Sequence, residues 1–95
     1  MMLAKRIVTY EIRITKKVQK NLHKLPKNIR QRFIALAEQL RERGPVAHDW
    51  PNYGKLGDGK YHCHLAYSYS ACWTHEKETI TIEVYYVGSR ENAPY

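Results

Sequence analysis

Cysteine is scarce in this 95-residue sequence, which holds only Cys63 and Cys72. Two thiols cannot build the disulfide framework by which small secreted domains offset a small core, so a reducing cytoplasm is the expected location. Long apolar runs are missing too, and none approaches the ~18 residues of a membrane-spanning helix. The first fifteen residues carry Lys5, Arg6 and Arg13 among apolar ones. That pattern has neither the uninterrupted apolar stretch nor the small-residue cleavage site of a secretory signal. Acidic residues are few in one half only. Residues 1–47 hold Glu11, Glu38 and Glu42 against twelve Lys and Arg, a net +9. Residues 48–95 hold six acids against four bases, a net −2. The overall +7 is thus a basic first half joined to a mildly acidic second half. Nucleic acid, an acidic protein or a membrane surface would each meet the first half favourably.

With 43% apolar and 26% charged residues, the chain falls outside the disordered and low-complexity classes. Its length suits one domain over 1–95. From Ile7 to Thr15, β-branched and polar residues alternate, which predicts a half-buried strand. Thr15 then predicts a helix N-cap, followed by Val18, Leu22 and Leu25 at helical spacing. Pro26 suits the first turn of a second helix, whose apolar stripe is Ile29, Phe33, Leu36, Ala37 and Leu40. Gly44-Pro45 ends it. The glycine-rich stretch from Val46 to Gly59 reads as a loop anchored by Trp50, Tyr53 and Leu56. Tyr61–Tyr67, Tyr69–His75 and Thr79–Val87 read as strands, the last with Ile80, Ile82, Val84 and Tyr86 on one face. The expected architecture is α+β, ordered β-α-α-β-β-β. A helical hairpin packs Val18, Leu22, Phe33 and Leu40 on one face of an antiparallel sheet, and the other face is partly open.

Cys63 between His62 and His64 suggests a metal at first sight. A hairpin turning near residues 67–68 sets Cys63 opposite Cys72 and both thiols on one face, with the imidazoles on the other. Two thiols without a nearby imidazole make a poor zinc site, and reduced core cysteines are the better reading. In that register His62 and His64 share a face with Trp73 and Ala71 across the hairpin. Imidazoles titrate near neutrality and suit general acid–base work. Arg90 follows Gly88-Ser89 after the longest strand and offers a planar, permanently charged fork for a phosphate. Tyr95 stands behind the stiffening Pro94. Taken singly, the histidines read first as exposed strand positions and Tyr95 as a frayed terminus, while Arg90 reads equally as a solvated strand end. Lys55 and Lys60 belong to a glycine-rich loop that lacks P-loop spacing, and they suit contact with a phosphate backbone. Lys16, Lys20 and Lys24 lie in a charge run of the kind that is most often just a solvated helix face.

This element order, with Lys60-Tyr61-x-x-x-Leu65 and the ending Val84-Tyr85-Tyr86-Val87-Gly88-Ser89-Arg90-Glu91-Asn92-Ala93-Pro94-Tyr95, resembles the RelE/ParE toxin superfamily. The likeness is nearest to its RelE/HigB-type mRNA interferases and is specific from about Leu56 to Tyr95. It implies a single RelE-like domain and the toxin of a type II toxin–antitoxin system, an endoribonuclease that cleaves mRNA on the ribosome. The partners it implies are a cognate antitoxin protein, mRNA and the ribosome with its 16S rRNA. No membrane partner and no cofactor are expected.

Carried over position by position, the resemblance makes Arg90 the phosphate clamp and Tyr95 the residue that stacks on the nucleotide or moves a proton. His62 and His64 fall where two alternate lysines follow a tyrosine in RelE-type members. The arginine common on the third strand falls near Ala71, so one phosphate contact is missing or comes from Lys60, Lys55 or His75. The implied chemistry is metal-independent attack of a ribose 2′-OH on the adjacent phosphate. Trp73 would stack on a base, and Lys60, Lys55, Lys16, Lys20 and Lys24 would contact RNA. A ParE-like gyrase poison and a non-catalytic RNA- or ribosome-binding module are the alternatives.

Overall fold

A computed structural model describes residues 9–95; Ile7 and Val8 of the expected first strand lie outside them. The elements are β1 (Glu11–Ile14), α1 (Lys16–Leu22), α2 (Lys27–Arg43), β2 (Gly54–Gly57), β3 (Lys60–Ala66), β4 (Tyr69–His75) and β5 (Thr81–Ser89). Thr15 caps α1, its hydroxyl accepting from the Val18 N–H at 3.2 Å. Pro26 is the N-cap of α2, one position before the expected first turn, and its carbonyl accepts from the Ile29 and Arg30 N–H groups. Gly44 closes α2 at φ +93°, where a Cβ would also stand 2.9 Å from the Tyr10 ring. Glycine meets both demands at once. No helix among the described residues is long and apolar enough to cross a membrane.

The five strands form one sheet in the order β1-β5-β4-β3-β2. β1 runs parallel to β5 and the other pairs are antiparallel, so the sheet is mixed rather than antiparallel throughout. The helical hairpin is the reason, because it carries the chain from β1 over the sheet as a crossover. β2 lies within the stretch expected to be a loop. Two of its four residues are glycine, which hides any alternation, and it is a strand because it pairs with β3.

Val18, Ile29, Phe33, Leu36 and Leu40 from the helices meet Cys63, Leu65, Trp73, Ile82 and Val84 from the sheet to form the core. Leu22 packs at its margin, as do Trp50 and Tyr53, which anchor the loop as expected. Leu56 is half-buried on β2.

The β3–β4 hairpin turns at Tyr67-Ser68, flanked by the Ala66–Tyr69 pair. A bulge between His64 and Ala66 then shifts the register by one residue. Cys63 lies opposite Ala71, not Cys72, while His62 and His64 face Cys72 and Ser70 rather than Trp73 and Ala71. A one-residue slip inverts the faces. The two cysteines therefore point to opposite sides of the sheet. Both are buried and free, and burial pushes their thiols up to about 12 for Cys63 and about 11 for Cys72.

Trp73 goes into the core with the same slip. It is fully buried, donates its indole N–H to the Pro45 carbonyl at 2.9 Å, and stacks with Tyr61 and Tyr53. It has no face left for a base, which corrects its assignment as an RNA-binding residue. A second bulge opens at Tyr85, since Cys72 pairs with Tyr86 and Trp73 with Val84. Ile82, Val84 and Val87 consequently line the core, while Ile80 lies outside β5 and is exposed.

Candidate active site

Alternation along β3 sends Tyr61, Cys63 and Leu65 inward and leaves His62 and His64 on the opposite face, their ring centroids 6.4 Å apart. β5 ends at Ser89, paired with Tyr69 beside the hairpin turn, so Arg90 emerges next to that turn. Its backbone N–H donates to the Ser68 carbonyl at 2.9 Å and its guanidinium donates to the Tyr67 carbonyl at 2.8 Å. The same guanidinium lies 5.6 Å from the centroid of the Tyr67 ring. The chain then folds back on itself, with the Ala93 N–H donating to the Arg90 carbonyl and the Tyr95 N–H to the Ala93 carbonyl. This return sets the Tyr95 ring 4.5 Å from that of His62 and its hydroxyl 2.8 Å from the buried Ser70 hydroxyl.

The result is a cleft of about 590 Å³ whose walls include His62, His64, Tyr67, Ser89, Arg90 and Tyr95. Neighbouring β2 shapes it at Gly54, which pairs with His62. A Cβ at Gly54 would stand 3.2 Å from His62 Nε2, so glycine lets the imidazole lie close to that strand. His62 Nδ1 is buried without a hydrogen-bond partner among the described residues. Burial holds the His62 imidazole below its ordinary pKa. His64 is lowered by burial first, then by the charges of Arg90 and His62. Both rings are therefore neutral near pH 7 and able to accept a proton.

The structure thus brings together the four residues expected to be catalytic: His62, His64, Arg90 and Tyr95. The expected RNA-contacting lysines do not line this cleft. Lys55 lies on β2 with its ammonium 5.9 Å from the Tyr61 ring, and Lys60 opens β3 opposite Thr74. Lys16 and Lys20 lie on α1 and Lys24 in the turn after it, the last two beside a second groove of about 580 Å³ that also includes Lys17, Tyr69 and Tyr86. Ala71 is fully buried in the core, so an arginine at that position would not reach the cleft; Ser70 is the β4 residue on the cleft side. His75, the other candidate for the missing contact, is held by its bond to the Thr79 carbonyl. No group of three or more His, Cys, Asp or Glu converges as a metal site among the described residues.

Sequence reasoning missed Asn52, Tyr67, Ser68, Ser89 and Glu91, which complete the cleft wall. Tyr67 alone carried a signal, as an aromatic at the tip of a two-residue turn, where polar residues are the rule.

No protein-family model and no curated protein sequence matches the chain. Solved structures do. The RelE–RelB complex from Pyrococcus horikoshii superposes with a TM-score of 0.72 at 22% identity, covering 90% of this chain and 99% of that one. The RelBE2 toxin–antitoxin complex from Mycobacterium tuberculosis matches with a TM-score of 0.61 at 24% identity, over 94% and 100% of the two chains. The YoeB dimer from Staphylococcus aureus matches with 0.69 at 11% identity, over 86% and 98%. The chain therefore has the fold of these RelE and YoeB structures.

Proposed function

We propose that this protein is the toxin of a type II toxin–antitoxin module and a ribosome-dependent endoribonuclease that cleaves mRNA. The observation that carries this reading is the convergence of two neutral imidazoles, an arginine and a tyrosine on one cleft of a RelE-type fold.

His64 is the base in this scheme, being the imidazole nearer Arg90's field and the one without a buried, orphaned nitrogen. It takes the proton of a ribose 2′-OH. The freed oxygen attacks the adjacent phosphorus, the bond to the 5′-oxygen breaks, and that oxygen takes a proton from the Tyr95 hydroxyl. The products are a 2′,3′-cyclic phosphate and a 5′-hydroxyl. Arg90 stabilises the charge that accumulates on the phosphoryl oxygens; a well-placed donor of this kind supplies about 2.7–4 kcal/mol. His62, its ring packed at a tilt against that of Tyr95, holds the phenol in position. The chemistry needs no metal or cofactor. A ribosome that presents the message in a fixed pose would supply the orientation such a small site lacks.

Lys16 and Lys20 on α1 and Lys24 just after it, with Lys55 and Lys60, form the docking surface for ribosomal RNA, and its contribution falls as salt rises. An acidic antitoxin segment covers the cationic toxin, in keeping with the antitoxin complexes among the similar structures. Both act in the cytoplasm.

The test is induction in bacterial cells with translation measured and mRNA 5′ ends mapped. Cuts within codons that disappear in Arg90→Ala are expected. Damaged DNA with intact messages would assign the protein to gyrase instead. Ribosome binding without growth arrest would make it a passive RNA-binding module.

A further inference from the structure

Tyr67 is 87% exposed, far more than any tyrosine packed on the core. A phenol left so open contributes almost nothing to folding, since an aromatic ring stabilises a protein through the area it buries. Its surroundings are nevertheless specific. It stands at the tip of the β3–β4 turn and on the wall of the cleft that holds His62, His64, Arg90 and Tyr95. Two hydrogen bonds from Arg90, to the Tyr67 and Ser68 carbonyls, lock the turn to the arginine. The guanidinium carbon lies 5.6 Å from the ring centroid, and nearly all of the ring faces solvent.

Resting on the endoribonuclease reading, we propose that Tyr67 is the stacking platform for a nucleobase next to the scissile phosphate and so a determinant of where the message is cut. A phosphate gripped by Arg90 brings the adjoining base within reach of a ring carried by the turn that is bonded to that same arginine. Every base has a π-face, and aromatic side chains hold single strands by offering one to it. Stacking strength differs among bases, so a platform at one position favours some sites over others. Trp73, the aromatic that the sequence suggested for this task, is buried. Tyr67 takes the role because the turn leaves its ring uncovered.

The experiment measures single-turnover cleavage of short synthetic mRNAs on programmed ribosomes. The messages are intact or carry one abasic nucleotide on either side of the cut phosphate. Wild type, Tyr67→Phe and Tyr67→Ala are compared, and thermal midpoints confirm that all three are folded. At one flanking position the missing base slows wild type and Tyr67→Phe about tenfold. Tyr67→Ala cuts the intact message about tenfold more slowly and loses little further on the abasic one. An equal loss by Tyr67→Ala on every message would assign the residue to holding Arg90 and overturn the stacking role. Wild-type rates in Tyr67→Ala would overturn it as well while leaving the endoribonuclease reading intact. If the wild type cuts no message, both proposals fall together.

Discussion

The hydroxyl of Tyr95 lies 2.8 Å from that of Ser70, and this contact fastens the end of the return segment to β4. Ser70 is fully buried, so its side chain has few other partners to choose from. The tyrosine so held covers one face of His62. A serine inside the sheet thereby sets the position of a phenol on the cleft wall twenty-five residues away.

Replacing Ser70 with alanine should unseat Tyr95. Loss of one part-buried hydrogen bond costs about 1 kcal/mol, readable as a shift of the urea midpoint. The more telling change is at His62. With its cover loosened the imidazole regains water, and its pKa should rise toward the ordinary value in a histidine NMR titration. A His62 titration unchanged from wild type would show that Tyr95 does not shield the ring.

Arg90→Ala should leave the fold intact, because the residue is exposed. Cleavage should fall about a hundredfold or more, as expected when a donor to a developing oxyanion is removed. His64 reports the same change independently. Arg90 is one cause of its lowered pKa, so the pKa rises when the cation is removed. A drop in rate with no movement of His64 would place Arg90 farther from the base than proposed.

The pH dependence follows from the two depressed imidazoles. A general base works in its deprotonated form, so the acid limb of the cleavage profile should lie below the ordinary histidine value of about 6.5. Folding stability has a related window. Above about pH 6.5 the histidines are neutral in both states and their contribution is level. Below it the unfolded chain takes up protons first, so stability declines as pH falls toward the folded-state pKa values. Urea midpoints at pH 7.5 and 5.5 should show this decline, and it should shrink when His62 and His64 are both replaced by glutamine.

Trp73→Ala should act on stability rather than on cut-site choice. Removing a fully buried indole costs about 3–5 kcal/mol. That is a large share of the roughly 5–15 kcal/mol that holds a domain folded. Trp73→Phe, which keeps most of the volume, should preserve the wild-type cleavage pattern. A changed cut-site preference in that folded variant would return Trp73 to the RNA surface.

Much of the architecture was legible because it is written locally. The Thr15 cap, the apolar stripe of α2, the Gly44 stop and the turn at Tyr67-Ser68 each depend on residues close in sequence, and each stands where expected. β2 was not legible, because a glycine-rich tetrapeptide has little side-chain pattern and becomes a strand only through its neighbour. The mixed sheet was equally hidden. Whether β1 lies parallel or antiparallel to β5 depends on where the helical crossover delivers the chain.

The site divides along the same line. Alternation in β3 put His62 and His64 on one face, and the family resemblance carried by the ending from Val84 to Tyr95 grouped them with Arg90 and Tyr95. Tertiary structure decided what accompanies them. A single-residue bulge between His64 and Ala66 turned Trp73 inward and brought Ser70 and Cys72 opposite the histidines. Face assignment on a strand is local, since successive side chains alternate, but the choice of partner strand and register is not. It is settled by which arrangement fills the core, and here the indole filled it. The return of residues 91–95 onto Ser70, and the pairing of Arg90 with the exposed ring of Tyr67, belong to that second kind of information.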